Sequence, residues 1–216
     1  MNPIPHPDEL DRFAAAFTVL SRLFLASPEA QALDRLRDPI LLAGWPLPSA
    51  TAEEGIARLL ASAAAGETAE DVRADHTALF VGPGMRAVPY ESVHRSVEKL
   101  LFEQQTLEVR ALYARLGLAA PRLNREPDDH IGLELEFVAQ CCSQGLSALE
   151  AADADQLSQV LALLEEFAAD HLLAWGPDLM HQVIEGAATS FYAGAGSLGA
   201  AALGSLEEVP WLPRGR

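Results

Sequence analysis

Helix-forming residues dominate this chain, and no stretch of it has the pattern of a β-strand. Alanine and leucine, both strong helix formers, recur along its whole length. A half-buried strand would show apolar and polar residues in alternation, rich in Val, Ile and Thr, and no such run is present. We therefore predict an all-α fold, a single-chain bundle of about eight to ten helices with a Gly/Pro loop in mid-chain.

Several helix starts are marked by capping residues. Pro7–Glu9 precedes a stripe of aromatic and aliphatic residues that predicts the buried face of a first helix. Ser27, with Pro28 and Glu29 behind it, predicts a second start. The stripe consists of Phe13, Phe17, Leu20 and Phe24, and two further starts are predicted from the capping-box pairs Thr51 with Glu54 and Thr68 with Asp71.

Longer helices are predicted from residue 92 onwards. A long helix is expected from Ser92 to Leu116, because Val93, Val97, Leu100 and Leu107 share one face. A linker is expected at 118–126, either within one domain of residues 1–216 or between two helical halves, 1–117 and 127–205. The later helices are expected at Asp128–Leu149, Asp155–Trp175, Pro177–Ala188 and Ser190–Leu203, with Gly176-Pro177 separating two of them.

The charge of the chain is strongly negative. With 15 Lys and Arg against 31 Asp and Glu, the net charge is −16, which disfavours nucleic acid and anionic membranes as partners. The adjacent Cys141 and Cys142 are poorly placed for a mutual disulfide. No secretory signal and no run long enough to insert stably in a bilayer is visible. We therefore expect a cytoplasmic protein.

Two segments are candidates for function. The first, Leu79 to Ser92, contains Gly82-Pro83-Gly84 and Pro89-Tyr90. It lacks the lysine and the preceding strand of a nucleotide-binding loop. It is either a plain helix connector or, since Met85, Val88 and Tyr90 are apolar residues in a loop, part of a binding site.

The second segment, Glu126 to Phe137, opens a helix. Asp128 and Asp129 fit helix capping, which by itself could explain them. Glu134 is different, because it lies about 40° from His130 on an apolar helix face. A carboxylate there must be paired, protonated or facing a pocket. His130 is either part of this site or a buried histidine whose hydrogen bonds are made within the fold.

His130 and Glu134 could also share a cation. However, no second Glu-x-x-His pair, no metal-type histidine or cysteine spacing and no GxSxG motif is present. A helical metal- or nucleotide-dependent enzyme that uses these two residues therefore stays as the alternative function, and a helical adaptor domain is a third. No cofactor is predicted.

Taken together, the two segments resemble the TorD/DmsD/NarJ family of molybdoenzyme-maturation chaperones. The matching residues are Leu79-Phe80-Val81-Gly82-Pro83, Pro89-Tyr90-Glu91-Ser92-Val93, Glu126-Pro127-Asp128-Asp129-His130 and Glu134-Leu135-Glu136-Phe137, with His171 to Trp175 and Phe191-Tyr192 further on. The family pattern is not followed everywhere: Gly84 and His94 stand where some relatives have aromatic residues.

The resemblance implies a non-enzymatic, all-helical cytoplasmic chaperone. Its partner would be the precursor of a molybdopterin-containing oxidoreductase, often bound through a twin-arginine signal peptide, whose export is delayed until the cofactor is inserted. The implied client-binding residues are Leu79, Phe80, Gly82, Pro83, Pro89, Tyr90, Ser92, Glu126, Pro127, Asp129 and His130, supported by Glu91, Asp128, Glu134 and Trp175.

We expect the two segments to meet in space and form one site. Asp128, Asp129, Glu126 and Glu91 would then receive the guanidinium groups of a basic, apolar peptide. Phe80, Met85, Val88 and Tyr90 would line its apolar part. The protein is expected to be a monomer or a homodimer that exchanges helices at the linker.

Overall fold

The computed structural model describes residues 3–121 and 127–212. These residues form helices joined by loops, with no strand among them. The predicted all-α fold is therefore confirmed. Besides a π-helical turn at Ala168–Leu172, the helices are α1 Pro7–Leu25, α2 Ala30–Leu36, α3 Pro39–Ala43, α4 Ala50–Ala64, α5 Ala69–Phe80, α6 Glu91–Arg95, α7 Gln104–Arg115, α8 Ile131–Glu150, α9 Ala154–Phe167, α10 Leu173–Gly186 and α11 Ser190–Glu208.

The predicted helix starts are confirmed in part. The stripe of α1 is buried as expected, and Thr68 with Asp71 forms the expected capping box of α5. The start predicted at Thr51 is wrong, because Ser49 caps α4 through a 3.1 Å bond from the amide of Ala52. Ser27 is likewise not a cap, since α2 begins after Glu29.

The long helix predicted from Ser92 to Leu116 is wrong. Helix α6 ends at Arg95, and α7 begins only at Gln104. Between them Lys99 and Phe102 adopt the left-handed region, with φ of 52° and 63°. The apolar residues on which the prediction rested do not pack against a core here. Helix α7 instead buries a different face, which carries Thr106, Val109, Leu112 and Tyr113.

The helix break predicted at Gly176-Pro177 is also wrong. The chain passes from α9 through the π-helical turn into α10, and Pro177 lies inside α10. Proline costs one backbone hydrogen bond there, but Trp175, Gly176 and Leu179 are buried and α10 packs along α11. This packing holds the helix together through the proline.

Three helix pairs form the centre of the bundle. Helix α1 packs along α8, and α11 packs along both α4 and α10. Gly132, in the first turn of α8, lets α1 approach closely, because a Cβ atom at this position would lie 2.5 Å from Leu25 Cγ. The start of α8 is therefore fixed against α1.

One cluster of buried side chains includes residues from both predicted halves, among them Phe17 and Phe137. The domain assignment stays a prediction, and most of the predicted linker, together with Glu126, lies outside the described residues. Among the helices that the structure describes, none is long and apolar enough to cross a membrane.

Candidate functional site

The Gly/Pro loop and the start of α8 meet, as expected from the sequence. Tyr90 and His130 form an isolated antiparallel bridge. Its bonds run from the Glu91 amide to the Asp129 carbonyl at 3.0 Å and from the Ile131 amide to the Pro89 carbonyl at 2.8 Å. The rings of Tyr90 and His130 contact each other edge to face, with centroids 5.2 Å apart. We call residues 89–92 and 127–131 the junction.

Asp129 connects three elements at the junction. Its side chain is fully buried. One carboxylate oxygen accepts the backbone amide of Ser92 at 2.7 Å, and the other accepts the hydroxyl of Thr106, also at 2.7 Å. Asp129 therefore ties the start of α6 and the first turn of α7 to the residues just before α8.

Asp128 is buried and paired as well. The guanidinium of Arg110 donates to its carboxylate, and the Tyr113 hydroxyl donates to its backbone carbonyl at 3.1 Å. Neither aspartate caps α8, contrary to that interpretation of the sequence. The cap is His130, whose Nδ1 accepts the amide of Gly132 at 3.0 Å while its ring stays half-buried.

Glu91 is the centre of a buried ionic group. It lies fully buried between the guanidinium of Arg95 and Nδ1 of His171, which is 2.9 Å from its Oε2. Arg95 also donates to the backbone carbonyl of Asp170. A cavity of about 500 Å³ opens beside this group, lined by Arg95, Asp170 and His171 and by residues of α7 and α9.

Glu134 is fully buried and accepts a 3.1 Å hydrogen bond from Nε1 of Trp175. Burial raises the pKa of Glu134 well above its usual value, and the nearby Glu91 carboxylate adds to this shift. This shift favours the uncharged form of the carboxyl group, because burial disfavours the charged form. Of the three states that the sequence left open for this carboxylate, the structure shows a paired group, to which Trp175 donates.

The remaining predicted site residues divide into buried and exposed ones. Leu79 and Phe80 are buried in the core, where Phe80 packs against Phe24 and Tyr192. Gly82 and Pro83 are exposed, and the φ of 83° at Gly82 explains the glycine. The residues of the set that the structure buries at the junction are Pro89, Glu91, Ser92, Pro127, Asp128 and Asp129.

These positions change the expected role of the carboxylates. Asp128, Asp129 and Glu91 were expected to present negative charge to a ligand, yet each is fully buried and has partners within the chain. The spacing of acidic residues along a helix does not show whether they face a pocket. The sequence does not reveal which of them accept hydrogen bonds from donors within the protein. In this structure the three carboxylates hold the junction together.

One exposed surface was not expected from the sequence. Residues 96–103, which we call the apolar loop, expose Val97 (99%), Leu100 (53%), Leu101 (44%) and Phe102 (48%). Two of these residues, Val97 and Leu100, were expected on the buried stripe of a helix. The polar Gln104, which interrupts that stripe, was the one available signal that the stripe does not continue.

The side chains considered for catalysis, His130 and Glu134, have partners within the chain. Within residues 3–121 and 127–212, no group of three or more His, Cys, Asp or Glu side chains is placed to hold a metal ion. His130 caps α8 whereas Glu134 bonds to Trp175, so the structure does not support a cation shared by this pair. Burial raises the pKa of the Cys142 thiol to about 12, which makes it a poor nucleophile.

The described residues thus form an all-helical fold in which an exposed apolar loop follows the first part of the junction. Residues 46–181 match the family described as nitrate reductase delta subunit. The chain belongs to this family, which includes the TorD, DmsD and NarJ chaperones of molybdoenzyme maturation. The resemblance seen in the sequence is thus confirmed.

Individual relatives agree with this assignment. The Tat proofreading chaperone DmsD of Salmonella typhi is 28% identical over 193 residues, which cover 87% of this chain and 85% of DmsD. The chaperone protein TorD of Aeromonas salmonicida is 36% identical over 124 residues, or 57% of this chain. TorD of Vibrio cholerae is 30% identical over 112 residues, or 52% of this chain. The match spans about half the length of these two TorD proteins, 52% and 49%.

Proposed function

We propose that this protein is a client-specific chaperone without catalytic activity. Its client is the precursor of a molybdopterin-containing oxidoreductase, which it holds in the cytoplasm until the cofactor is inserted, and thereby delays export. The observation that carries this proposal is the junction itself, in which the two sequence segments typical of the family form one structure through Tyr90 and His130.

The partner proposed here is a twin-arginine signal peptide, which combines basic residues with an apolar segment. The net charge of −16 favours such a basic partner. The junction offers the half-buried Tyr90 and His130, and the exposed Gly82 and Pro83 lie in the loop that leads to it. Because Asp128, Asp129 and Glu91 are buried, their contribution to binding is to fix the position of these surface groups.

A peptide titration with a matched pair of variants tests this function. The probe is a labelled twin-arginine signal peptide of an exported molybdoenzyme, and a signal peptide of the general secretory type is the control ligand. His130→Asn retains a residue that caps helices well but removes the imidazole beside Tyr90. We expect His130→Asn to weaken binding several-fold while the unfolding curve stays close to that of wild type.

The same titration gives the contradicting results. The function is wrong if the wild-type protein does not discriminate between the two signal peptides. The role of His130 is wrong if His130→Asn and wild type bind the twin-arginine peptide equally. High salt is expected to weaken binding only partly, because apolar contacts persist when ion pairs are screened.

The oligomeric state is part of the proposal. We propose a monomer, or a homodimer that exchanges helices at the linker 118–126. Light scattering during size-exclusion chromatography distinguishes the two states. A dimer that dissociates into monomers when the linker is lengthened supports helix exchange, because short hinge loops favour domain swapping and longer ones let the chain fold back on itself.

A further inference from the structure

The apolar loop exposes four large apolar side chains within eight residues. Val97 is almost fully exposed, and Leu100, Leu101 and Phe102 are each about half exposed. Leu107, one turn into α7 and close to the loop in sequence, is 59% exposed. Isolated exposed apolar residues are common, but several within one short segment mark an interaction site.

The backbone holds these side chains in an unfavourable conformation. Lys99 and Phe102 both have positive φ, which is rare for residues with a side chain. Such conformations persist where the surrounding structure imposes them, and they are frequent at ligand-binding sites.

Asp129 is the group that holds both ends of this loop. Ser92, four residues before the loop, donates its amide to one oxygen of the carboxylate, and Thr106, three residues after the loop, donates its hydroxyl to the other. A single buried side chain of the junction therefore fixes the two points from which residues 96–103 emerge.

We propose that the apolar loop binds the apolar part of the client's signal peptide and that Asp129 is its positioning residue. This inference rests on the proposed function and adds a binding surface to it. It also gives Asp129 a role that does not require contact between its carboxylate and the peptide.

Charge and continuity identify the occupant as an apolar peptide with a basic flank. Glu98 and Glu103 lie in the apolar loop with Lys99 as the single cation among residues 96–103. Arg95, directly before the loop, is paired with Glu91. The loop also starts directly after α6, whose first residue Glu91 is part of the junction. One extended peptide can thus contact the junction and the loop together.

Surface variants test the loop directly. The variant combines Val97→Ser, Leu100→Ser and Phe102→Ser, and the control combines Ile40→Ser and Leu41→Ser on α3, which are 83% and 54% exposed. The probe is a synthetic peptide with two adjacent arginines followed by a leucine-rich segment. The loop variant should bind it at least about tenfold more weakly, since apolar contact area is lost, and the α3 control should bind like wild type.

Three other results of this experiment would contradict the proposal, and they differ in what they leave standing. If the loop variant binds like wild type, the role of the loop is wrong and the proposed function stands. If wild type does not bind the peptide, the proposed function fails together with the loop. If wild type is a dimer and the loop variant a monomer in light scattering, the occupant is a second copy of this chain, which overturns the proposal.

Thr106 variants test the positioning role of Asp129. Thr106→Val removes the hydroxyl that Asp129 accepts, and Thr106→Ser retains it. We expect Thr106→Val to weaken peptide binding several-fold and to increase hydrogen exchange in residues 96–103, with Thr106→Ser close to wild type in both. Unchanged binding by Thr106→Val contradicts the positioning role.

The salt dependence of binding separates positioning from direct pairing. If Asp129 acts through the loop, Asp129→Asn weakens binding but leaves the slope of log affinity against log salt unchanged. If the carboxylate itself pairs with an arginine of the peptide, Asp129→Asn lowers that slope, which overturns the proposal.

Discussion

The buried Glu134 predicts a specific dependence of stability on pH. Burial and the proximity of Glu91 raise its pKa in the folded protein well above the value in the unfolded chain. Between these two pKa values the folded state binds more protons than the unfolded state. Stability is therefore highest below the pKa of the unfolded chain and falls as the pH rises towards the pKa of the folded protein.

Glu134→Gln removes this titration and preserves the shape of the side chain. The amide oxygen can still accept the hydrogen bond from Trp175, which spans 3.1 Å to the carboxylate of the wild-type protein. Other titrating groups are common to both proteins, so most of their effects cancel in the difference. The free energy of unfolding of wild type should fall relative to that of Glu134→Gln by up to about 1.4 kcal/mol per pH unit.

The assay is urea unfolding followed by circular dichroism, at closely spaced pH values from about 4 to 8, a range that begins near the ordinary pKa of glutamate. The two curves should nearly coincide at the acidic end and diverge as the pH rises. Curves that stay parallel over the whole range would show that Glu134 titrates alike in the folded and unfolded states. That result would refute the raised pKa of Glu134 in the folded protein.

Two further predictions concern packing and thiol chemistry. Gly132→Ala should lower the free energy of unfolding by about 1 to 3 kcal/mol, because its Cβ would lie 2.5 Å from Leu25 Cγ. Gly204→Ala in α11 is the control, since nothing lies within 4 Å of its Cβ position, and it should be neutral or slightly stabilising in the same urea titration. Cys142 should react with a thiol reagent at mildly alkaline pH only as fast as the protein unfolds, because its pKa is raised to about 12; fast alkylation of the folded protein would contradict its burial.

The sequence predicts the fold class and several local features well, for physical reasons that are local. The capping box of Thr68 and Asp71 and the stripe of α1 depend on spacing alone, which the sequence shows. Glu134 could be recognised as exceptional because a carboxylate on an apolar face must be neutralised or paired. The meeting of the two segments was expected from the family resemblance and not from periodicity, but their contact through Tyr90 and His130 was not foreseen.

The parts that were predicted wrongly depend on tertiary packing. The spacing of Val97 and Leu100 is that of a buried helix face, but no core lies opposite them, and the chain forms an exposed loop. Pro177 stays inside α10 because packing against α11 offsets the lost hydrogen bond. The charges of Asp128 and Asp129 suggested a ligand, whereas Arg110, Ser92 and Thr106 supply their partners from distant positions of the chain.

The proposed chaperone function is tested most directly by identifying the client that the intact protein captures. The tagged protein is purified from cells that express molybdoenzymes, and co-purifying proteins are identified by mass spectrometry, with the variant at Val97, Leu100 and Phe102 as a parallel sample. The account predicts a molybdopterin oxidoreductase precursor that retains its twin-arginine signal peptide, enriched with wild type and depleted with the loop variant. Recovery of mature, processed oxidoreductases alone, or of no oxidoreductase under conditions in which the precursor accumulates, would contradict the account.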